Sequence, residues 1–381
     1  MLSRVTVAPL YAAGFVTAFG AHGIAAGLGG YTNASLLTLG LLLAVYDGAE
    51  IVLKPVFGSL ADRVGPRPVL LGGLIAFTLA SAAFVVAGDP AAVGVARLAQ
   101  GAAAAAFSPA ASAMVARLTP QARHGRAFGG YGAWKGLGHT LGPVLGGVLI
   151  HFGGYPALFA ALAALALLVA VWAAITVPAV PPLPRTRQTL GDLARRLTHP
   201  GFLRPTAALA ATTAALAVGV GFLPVQAASH GPLVSGLAVS AMAAAAALVQ
   251  PLVGRLRDQG RVRDTAGMAT GLLVAAAGYA AAAAFTGPVA LFAAALAIGA
   301  GAGAATPLGF AALAAATPPE RLGQTMGSAE VGREVGDAGG PLLVGAIATA
   351  TTLGGGLLAL TATLAAAAVA IIPGSGKAQN G

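Results

Sequence analysis

The feature that most constrains the fold is a series of long apolar segments separated by short polar loops. A helix that crosses the hydrocarbon core of a bilayer needs about 20 predominantly apolar residues, and its backbone groups must be bonded internally. Only 8% of the 381 residues are charged, whereas soluble domains have about 25%. The sequence therefore predicts an all-α membrane protein.

Twelve apolar segments can be traced along the chain. The first five cover about residues 5–28, 34–57, 69–87, 91–116 and 127–150, and a sixth follows a turn at residues 151–156 and ends near Val177. Six more cover about residues 206–228, 233–253, 265–285, 289–315, 325–348 and 353–372. We expect two six-helix domains at residues 1–178 and 205–381, joined by a linker at residues 179–204.

The predicted linker contains a short helix of its own. Several prolines open this stretch in an extended form, and residues 189–192 have the pattern of a helix-capping box. Three leucines share one helical face beside two arginines, namely Leu190, Leu193, Leu197, Arg195 and Arg196. The pattern is typical of an amphipathic helix lying on the cytoplasmic membrane surface.

The positive charges outside the apolar segments fall on alternate loops and on the two tails. Cytoplasmic loops of membrane proteins are enriched in Lys and Arg, so both termini are predicted to be cytoplasmic, in the cell (inner) membrane. The net charge of +10 is then a signal of orientation and of contact with lipid headgroups. Nucleic-acid binding is not predicted.

An internal repeat relates the two halves. Ser108-Pro109 recurs as Thr306-Pro307, and several other matches share its offset of 198 residues (306 − 108): Gly129 with Gly327, and Gly142-Pro143 with Gly340-Pro341. At a nearby offset Asp62 corresponds to Asp258, but Asp47, Glu50 and Lys54 correspond to Ala243, Ala246 and Gln250. The repeat predicts two pseudo-symmetric six-helix bundles, and the differing polar positions are candidates for function.

A charged segment separates the second and third apolar runs. Its sequence is Gly58-Ser-Leu-Ala-Asp62-Arg63-Val-Gly65-Pro66-Arg67-Pro68. The glycines allow a sharp reversal, and an ordinary charged turn is one interpretation. The segment also resembles the loop between helices 2 and 3 of the major facilitator superfamily, at every fixed position of the pattern Gly-x-Leu-Ala-Asp-Arg-x-Gly-x-Arg-Pro.

This resemblance covers the whole chain except the linker and the tail. It implies a twelve-helix transporter in which two bundles rock about a midplane cavity. It also implies that the charged segment gates the cytoplasmic side, with Asp62 pairing with the start of helix 11 and with Arg63 or Arg67.

The second apolar segment contains charges, each of which costs at least about 2.5 kcal/mol at membrane depth. Glu50 and Lys54 are four residues apart and are expected to pair on a helix. One interpretation is a buried salt bridge that fixes packing. The other is that Asp47 or Glu50 takes up and releases a proton during transport.

The fourth segment contains Arg97-Leu-Ala-Gln100-Gly101. It resembles an Arg-x-x-Gln-Gly motif of the family, which implies a part in proton coupling. Because arginine does not release its proton at ordinary pH, Arg97 would bias a carboxylate or bind an anion. A structural arginine bonded to carbonyl groups is the alternative.

A run of small residues follows in the fifth segment, at Gly138, Gly142, Pro143, Gly146 and Gly147. It resembles the Gly-x-x-x-Gly-Pro-x-x-Gly-Gly motif of the family's drug:proton antiporters, which implies export. We expect this kinked, small face to press against helix 8. Lys135, His139 and Trp134 on the same segment are predicted to reach the cavity, with core packing as the alternative for Trp134.

The eleventh segment carries four charged residues at spacings of 3, 4 and 7, which places them on one helical face: Glu330, Arg333, Glu334 and Asp337. The resemblance puts helix 11 against helix 2, so this face is expected near Lys54 or Asp47. A gating network of salt bridges and a substrate site are both compatible with it.

These observations favour a proton-coupled transporter that exports a small amphipathic compound. A transporter of a polar metabolite or a divalent cation is one alternative, and a lipid flippase or a non-transporting scaffold is another. No phosphate-binding loop or nucleophile–base pair is recognisable, so we expect no enzyme, no cofactor and no resident metal. The expected partners are substrate, protons and membrane lipids, and we expect a monomer.

Overall fold

The computed structural model describes residues 7–32, 36–182, 190–226 and 232–372, and within them the regular structure is helical, without strands. The helices are α1 (Ala8–Thr32), α2 (Leu36–Val64), α3 (Pro66–Ala83), α4 (Pro90–Leu118), α5 (His124–Thr176), α6 (Leu190–Thr198), α7 (Pro200–Gln226), α8 (Pro232–Asp258), α9 (Asp264–Ala284), α10 (Pro288–Ala315), α11 (Leu322–Ala350) and α12 (Leu353–Ile371). Short 3-10 turns precede α5 and α11, at Gln121–Arg123 and Pro319–Arg321.

Each predicted span overlaps one of these helices, and the fifth and sixth both fall on α5. Within the described ranges, eight helices are long and apolar enough to cross a membrane by length and composition. Helices α2 and α11 are not among the eight, and both contain several of the charged residues considered above. The all-helical fold is confirmed, whereas the number of twelve spans stays a prediction.

The predicted loop between the second and third spans is much shorter than expected. Helix α2 continues through Gly58, Asp62 and Arg63 to Val64, so the reversal is left to Gly65, whose φ is 95°. This left-handed conformation strains any residue with a Cβ. Pro66 then occupies the first position of α3, where its missing N–H costs nothing. The assignment of Gly58 to the turn was therefore wrong.

The turn expected between the fifth and sixth spans also shrinks to one residue. Helical geometry runs from His124 to Thr176 except at Gly154, where φ is 69° and ψ is −176°. A single left-handed glycine redirects the chain there. The sequence signal was correct in place, but it overestimated the length of the turn.

The predicted linker helix is present as α6, Leu190–Thr198. Thr189, the first residue of the expected capping box, lies outside the described residues. Helix α7 begins at Pro200, inside the predicted linker and before the expected start of the seventh span. The helical part of the second half is thus longer than its apolar part.

Two contacts between helices, which we call seams, close one end of the fold. We call it the basic end because the arginine-rich loops lie there, close to Asp62 and Asp258. In the first seam α2 packs against α11, and in the second α8 packs against α5. A Cβ built on Gly58 would lie 2.3 Å from the Gly323 carbonyl oxygen, and one on Gly254 would lie 2.0 Å from that of Gly125. Each seam therefore requires glycine at its closest approach.

The seams also repeat each other one turn further from the basic end. Gly327 lies against the Lys54 carbonyl in the first seam, and Gly129 lies against the Gln250 carbonyl in the second. The paired positions are those of the sequence repeat. The duplication therefore extends to the contacts between the halves.

The small-residue face of α5 packs differently from the prediction. Gly138 lies against Phe15 and Ala18 of α1, and the backbones of Gly142 and Gly146 lie against Gly23 of the same helix. Among the described residues, a Cβ built on Gly147 would meet no heavy atom within 4 Å apart from its chain neighbours and the nearby backbone of its own helix. The contact of α5 with α8 uses Gly125, Gly129 and Gly132 nearer the basic end. The expectation that Gly138, Gly142, Gly146 and Gly147 would press on helix 8 was therefore wrong, and the side chain of Pro143 lies outside the described residues.

Candidate functional site

A cavity of about 130 Å³ lies among helices α1, α2, α4, α5, α7 and α11. Seven charged or ionisable residues predicted for the site line it: Asp47, Glu50, Arg97, Lys135, Arg333, Glu334 and Asp337, together with His139. Thr17, Ala18, Ala21, Tyr46 and Thr213 complete the lining. The structure thus brings together groups that lie on four separate helices of the chain.

Lys54 is the centre of an ion-pair network between α2 and α11. Its Nζ lies 3.3 Å from Glu50 Oε2 and 3.7 Å from Glu330 Oε2, and it donates a short hydrogen bond to Glu334 Oε1. Lys54 is 1% exposed and Glu50 is 5% exposed. A charge buried to this degree is tolerated only when it is paired, so the network fixes α2 against α11 at this depth.

Glu330 lies beneath the cavity and is fully buried. It accepts a hydrogen bond of 3.0 Å from Lys135 Nζ on α5 and bonds of 3.2 and 3.3 Å from Arg333 Nη1 on α11. With Lys54, three cations surround this carboxylate. Glu330 is absent from the cavity lining, so the prediction that it lines the substrate cavity was wrong: its carboxylate is enclosed by its own partners.

Arg97 is held by neighbours in its own half. Its guanidinium carbon lies 4.4 Å from the centre of the Tyr46 ring, and Nη1 donates to Gln100 Oε1 at 3.3 Å. Gln100 in turn donates to Ser81 at 3.1 Å. The Nε of Arg97 has no hydrogen-bond partner in the described part of the chain. The side chain is therefore positioned by stacking on Tyr46 and by the amide of Gln100, and it lines the cavity.

Asp47 and Asp337 differ from the other carboxylates of the site. Both are exposed, whereas Glu50 and Glu330 are buried. Among the described residues, the ion pairs within 4 Å around the cavity use Glu50, Glu330 and Glu334 but neither of these aspartates. Asp47 lies on α2 and Asp337 on α11, so each side of the first seam presents one carboxylate without an ion pair to the cavity.

His139 lines the cavity but Trp134 does not. The indole of Trp134 is 48% exposed and meets the ring of Phe15 edge-on, with centroids 6.4 Å apart. His139 and Trp134 are five positions apart on α5, which turns their side chains to different sides of the helix. The assignment of Trp134 to the cavity was therefore wrong.

Asp62 closes the first seam at the basic end. Its two carboxylate oxygens accept from the backbone N–H groups of Gly323 and Gln324, at 2.7 and 2.8 Å. These N–H groups belong to the first turn of α11, which has no helical partner for them. The predicted contact between Asp62 and the start of helix 11 is confirmed. Arg67 donates to the Ala174 carbonyl at 2.7 Å, and Arg63 is exposed.

Asp258 forms the equivalent contact in the second seam. It accepts from the N–H groups of Gly125 and Arg126, both at 2.9 Å, at the first turn of α5. The sequence marks Asp258 only as the repeat of Asp62, and that repeat is the signal from which its partner could be predicted. Thr213, whose hydroxyl donates to the Arg333 carbonyl at 2.8 Å, lines the cavity without any such signal.

Comparison with known proteins places the chain in a family. The family model described as Major Facilitator Superfamily matches residues 2–232 and 206–379. The tetracycline resistance protein, class E, of Escherichia coli is 38% identical over 108 residues, which are 28% of this chain and 26% of that protein. The quinolone resistance protein NorA of Staphylococcus aureus is 29% identical over 111 residues, 29% of each chain. The chain thus aligns with less than a third of the length of these two relatives.

Solved structures show the same fold at low identity. The human organic anion transporter MFSD10 (TETRAN) has a TM-score of 0.82 at 16% identity, covering 97% of this chain and 99% of its own. The E. coli fucose:proton symporter FucP has a TM-score of 0.81 at 15% identity, covering 97% and 98%. With the family match over nearly the whole sequence, the chain belongs to the Major Facilitator Superfamily of membrane transporters.

Proposed function

We propose that the protein is a proton-coupled exporter of small amphipathic cations. The observation that carries the proposal is the pair of cavity carboxylates, Asp47 and Asp337, which are exposed and take part in no ion pair within 4 Å among the described residues. The cavity lysine and Arg333 are already engaged with glutamates. Arg97 is the one lining cation without a carboxylate partner among the ion pairs of the described residues, and it faces two unpaired carboxylates, so the net charge available to a ligand is negative.

Two such carboxylates allow a proton and a cationic substrate to be exchanged as alternative ligands of the same group. An unpaired carboxylate at membrane depth is costly in its charged form, so it is stabilised by a proton or by a bound cation. If both ligands use the same carboxylate, uptake of one displaces the other. That competition couples a proton gradient to export, and the drug-resistance proteins among the relatives support this direction.

The proposed transport cycle uses two six-helix bundles with twelve spans, set in the inner membrane with both termini cytoplasmic. In that orientation the basic end is cytoplasmic. Asp47 lies 15 residues before Asp62 on α2, which is about 22 Å along a helix. The closed seams at the basic end and the exposed carboxylates away from it support an outward-facing state. Rocking of the bundles would open the seams and give alternating access.

The test uses Asp47→Asn in purified protein reconstituted into proteoliposomes. Uptake of a lipophilic cation such as ethidium into these proteoliposomes, driven by an imposed pH gradient with the acidic side inside, is expected to fall to background because Asn accepts no proton. Asp89→Asn is the matched control, since Asp89 caps α4 by accepting from Ala91 and Ala92 and Asn retains that function. Transport by Asp47→Asn at the wild-type rate would overturn the proposal.

The alternatives receive less support from the site. Within the described ranges, no group of three or more His, Asp or Glu side chains is placed to hold a metal ion, so nothing favours a divalent cation as substrate. A polar metabolite would need paired donors and acceptors, and most of these are engaged within the ion-pair network. Counterflow of ethidium in proteoliposomes separates a transporter from a scaffold, and a fluorescent-lipid translocation assay tests a flippase.

A further inference from the structure

A second cavity, of about 340 Å³, lies at the basic end beside the linker helix. It is formed by α6, the start of α7, the end of α10 and the start of α11, and shares no lining residue with the central cavity. Its lining residues are Asp192, Arg195, Arg196, His199, Gly201, Phe202, Leu313, Ala316, Thr317 and Thr325. The proposed transport mechanism does not use this cavity.

The electrostatic character of this cavity favours an anion. Arg195 and Arg196 contribute two positive charges against the single negative charge of Asp192. The N-terminus of α7, a helix of 27 residues, adds the positive end of its dipole. His199 receives a hydrogen bond of 3.1 Å from the Gly201 N–H on its Nδ1, so in the neutral ring the proton sits on Nε2, available as a further donor.

Thr325 supplies an independent sign that a ligand binds here. The residue is 3% exposed, and its hydroxyl has no hydrogen-bond partner in the described part of the chain. Thr317, on another wall of the cavity, instead donates to the Leu313 carbonyl of its own helix. Leaving a buried hydroxyl without a partner costs free energy. An oxygen atom of a ligand in the cavity would accept the Thr325 proton and remove that cost.

We propose that this cavity binds the phosphate headgroup of an anionic phospholipid from the membrane leaflet at the basic end. The arginines, His199 and Thr325 would hold the phosphate, and the apolar surface of Phe202, Leu313 and Ala316 would contact the glycerol and the first acyl carbons. Basic cavities between helices at this face of a membrane protein are suited to such headgroups. The amphipathic helix α6 places its arginines at the membrane surface, where lipid is more concentrated than any soluble anion.

The headgroup would lie next to the closed first seam. Arg196 donates to the side chain of Gln324, and the backbone N–H of Gln324 donates to Asp62. Thr325 is the next residue of α11. The lipid therefore binds residues that are directly attached to the contact that holds this end shut.

The test measures lipid affinity of the purified full-length protein in detergent by native mass spectrometry. The probes are dioctanoyl phosphatidylglycerol, dioctanoyl phosphatidylcholine and glycerol 1-phosphate. Thr325→Val removes the hydroxyl with little change of shape, and Arg195→Gln, at an exposed position, provides a second variant that does not depend on core packing. Thr349→Val is the matched control on α11, where the hydroxyl already donates to the Ala346 carbonyl.

We expect phosphatidylglycerol to bind more tightly than phosphatidylcholine. Each of the two variants should weaken its binding by about threefold to tenfold, the range for one lost hydrogen bond, while the control binds as wild type. Equal affinity for the two lipids, or unchanged affinity in both variants, would overturn the proposal. Glycerol 1-phosphate binding as tightly as the lipid would also overturn it and assign the cavity to a soluble phosphate compound. None of these readouts requires transport.

Discussion

At the scale of single residues, His124 shows how burial limits the protonation of a side chain at the basic end. Its Nε2 lies 3.1 Å from both the Ala116 and the Thr119 carbonyl oxygens. Since carbonyl groups only accept, this nitrogen carries the proton. The other ring nitrogen is buried and has no partner within the described residues. Burial therefore lowers the pKa of His124 below its ordinary value.

This geometry predicts that mild acid weakens the fold. The unfolded chain binds a proton on this ring near pH 6.5, whereas the folded chain resists it, so stability is full above that pH and falls below it, by at most about 1.4 kcal/mol per pH unit. His124→Gln keeps a donor for the two carbonyls but does not titrate. The thermal midpoint in detergent should drop less between pH 7.5 and 5.5 in this variant than in wild type. Equal drops would contradict the prediction.

The sequence could identify the residues of the site because charge is rare in an apolar chain. Asp47, Glu50, Arg97 and Lys135 stood out for that reason, and all four line the cavity. The sequence could not show which of these charges pair, because the contact between Lys135 and Glu330 depends on how α5 and α11 cross. Trp134 was misplaced for another reason, because its spacing of five residues from His139 turns it to a different side of α5.

At the scale of elements, the two seams share a backbone arrangement but differ in side chains. Gly327 meets the Lys54 carbonyl where Gly129 meets that of Gln250. Lys54 ties α2 to Glu334 and Glu330 of α11. Gln250 is 4% exposed, and its Oε1 has no hydrogen-bond partner within the described ranges. At this depth, one turn from the aspartate contacts, the first seam is held by ion pairs and the second by packing.

This difference between the seams predicts that the same substitution has unequal effects on stability at the matching positions 54 and 250. Lys54→Met leaves Glu50 and Glu334 buried without their cation, and breaking such a buried network costs about 3–5 kcal/mol. Gln250→Met removes an amide whose oxygen was unsatisfied, which is close to neutral. Thermal unfolding in detergent should therefore show a large loss for the first variant and a small one for the second. Similar losses would show that the ion pairs do not stabilise their seam.

Helix existence was predictable from the apolar segments, but helix ends were not. Helix α2 runs to Val64, seven residues past the predicted end of its span at Phe57 (64 − 57), because Asp62 is stabilised by the N–H groups of α11. That partner lies in the other half of the sequence. Likewise, nothing local could show that the small face of α5 would pack on Gly23 of α1. Tertiary contacts decided both.

At the scale of the whole molecule, closure at the basic end depends on contacts exchanged between the halves. Asp62 of α2 caps α11, and Asp258 of α8 caps α5. If the halves move as rigid bodies, both caps form and break together. Loss of one helix cap costs about 0.5–2 kcal/mol.

The rigid-body movement can be tested by cysteine labelling, because the chain contains no cysteine. Ala329→Cys places one thiol at a fully buried position of α11. Asp62→Ala and Asp258→Ala should each raise its labelling rate, by about 2- to 30-fold, and the double variant should multiply the two factors.

The control is Asp89→Ala, which removes a cap formed within one half and should leave the labelling rate unchanged. If Asp258→Ala alone has no effect on the thiol in α11, the two seams open independently and the rigid-body interpretation fails.

The two helix caps exchanged between the halves also indicate how the chain arose. In a two-fold homodimer of a six-helix chain, one aspartate of each protomer would sit on a helix of its partner, and the same bond would be made twice. The present chain retains that reciprocity within one polypeptide, as expected when two such protomers are fused. Once fused, the copies no longer had to be identical, and the difference between lysine at position 54 and glutamine at position 250 records that freedom: the same place in the two joints is ionic in one and neutral in the other.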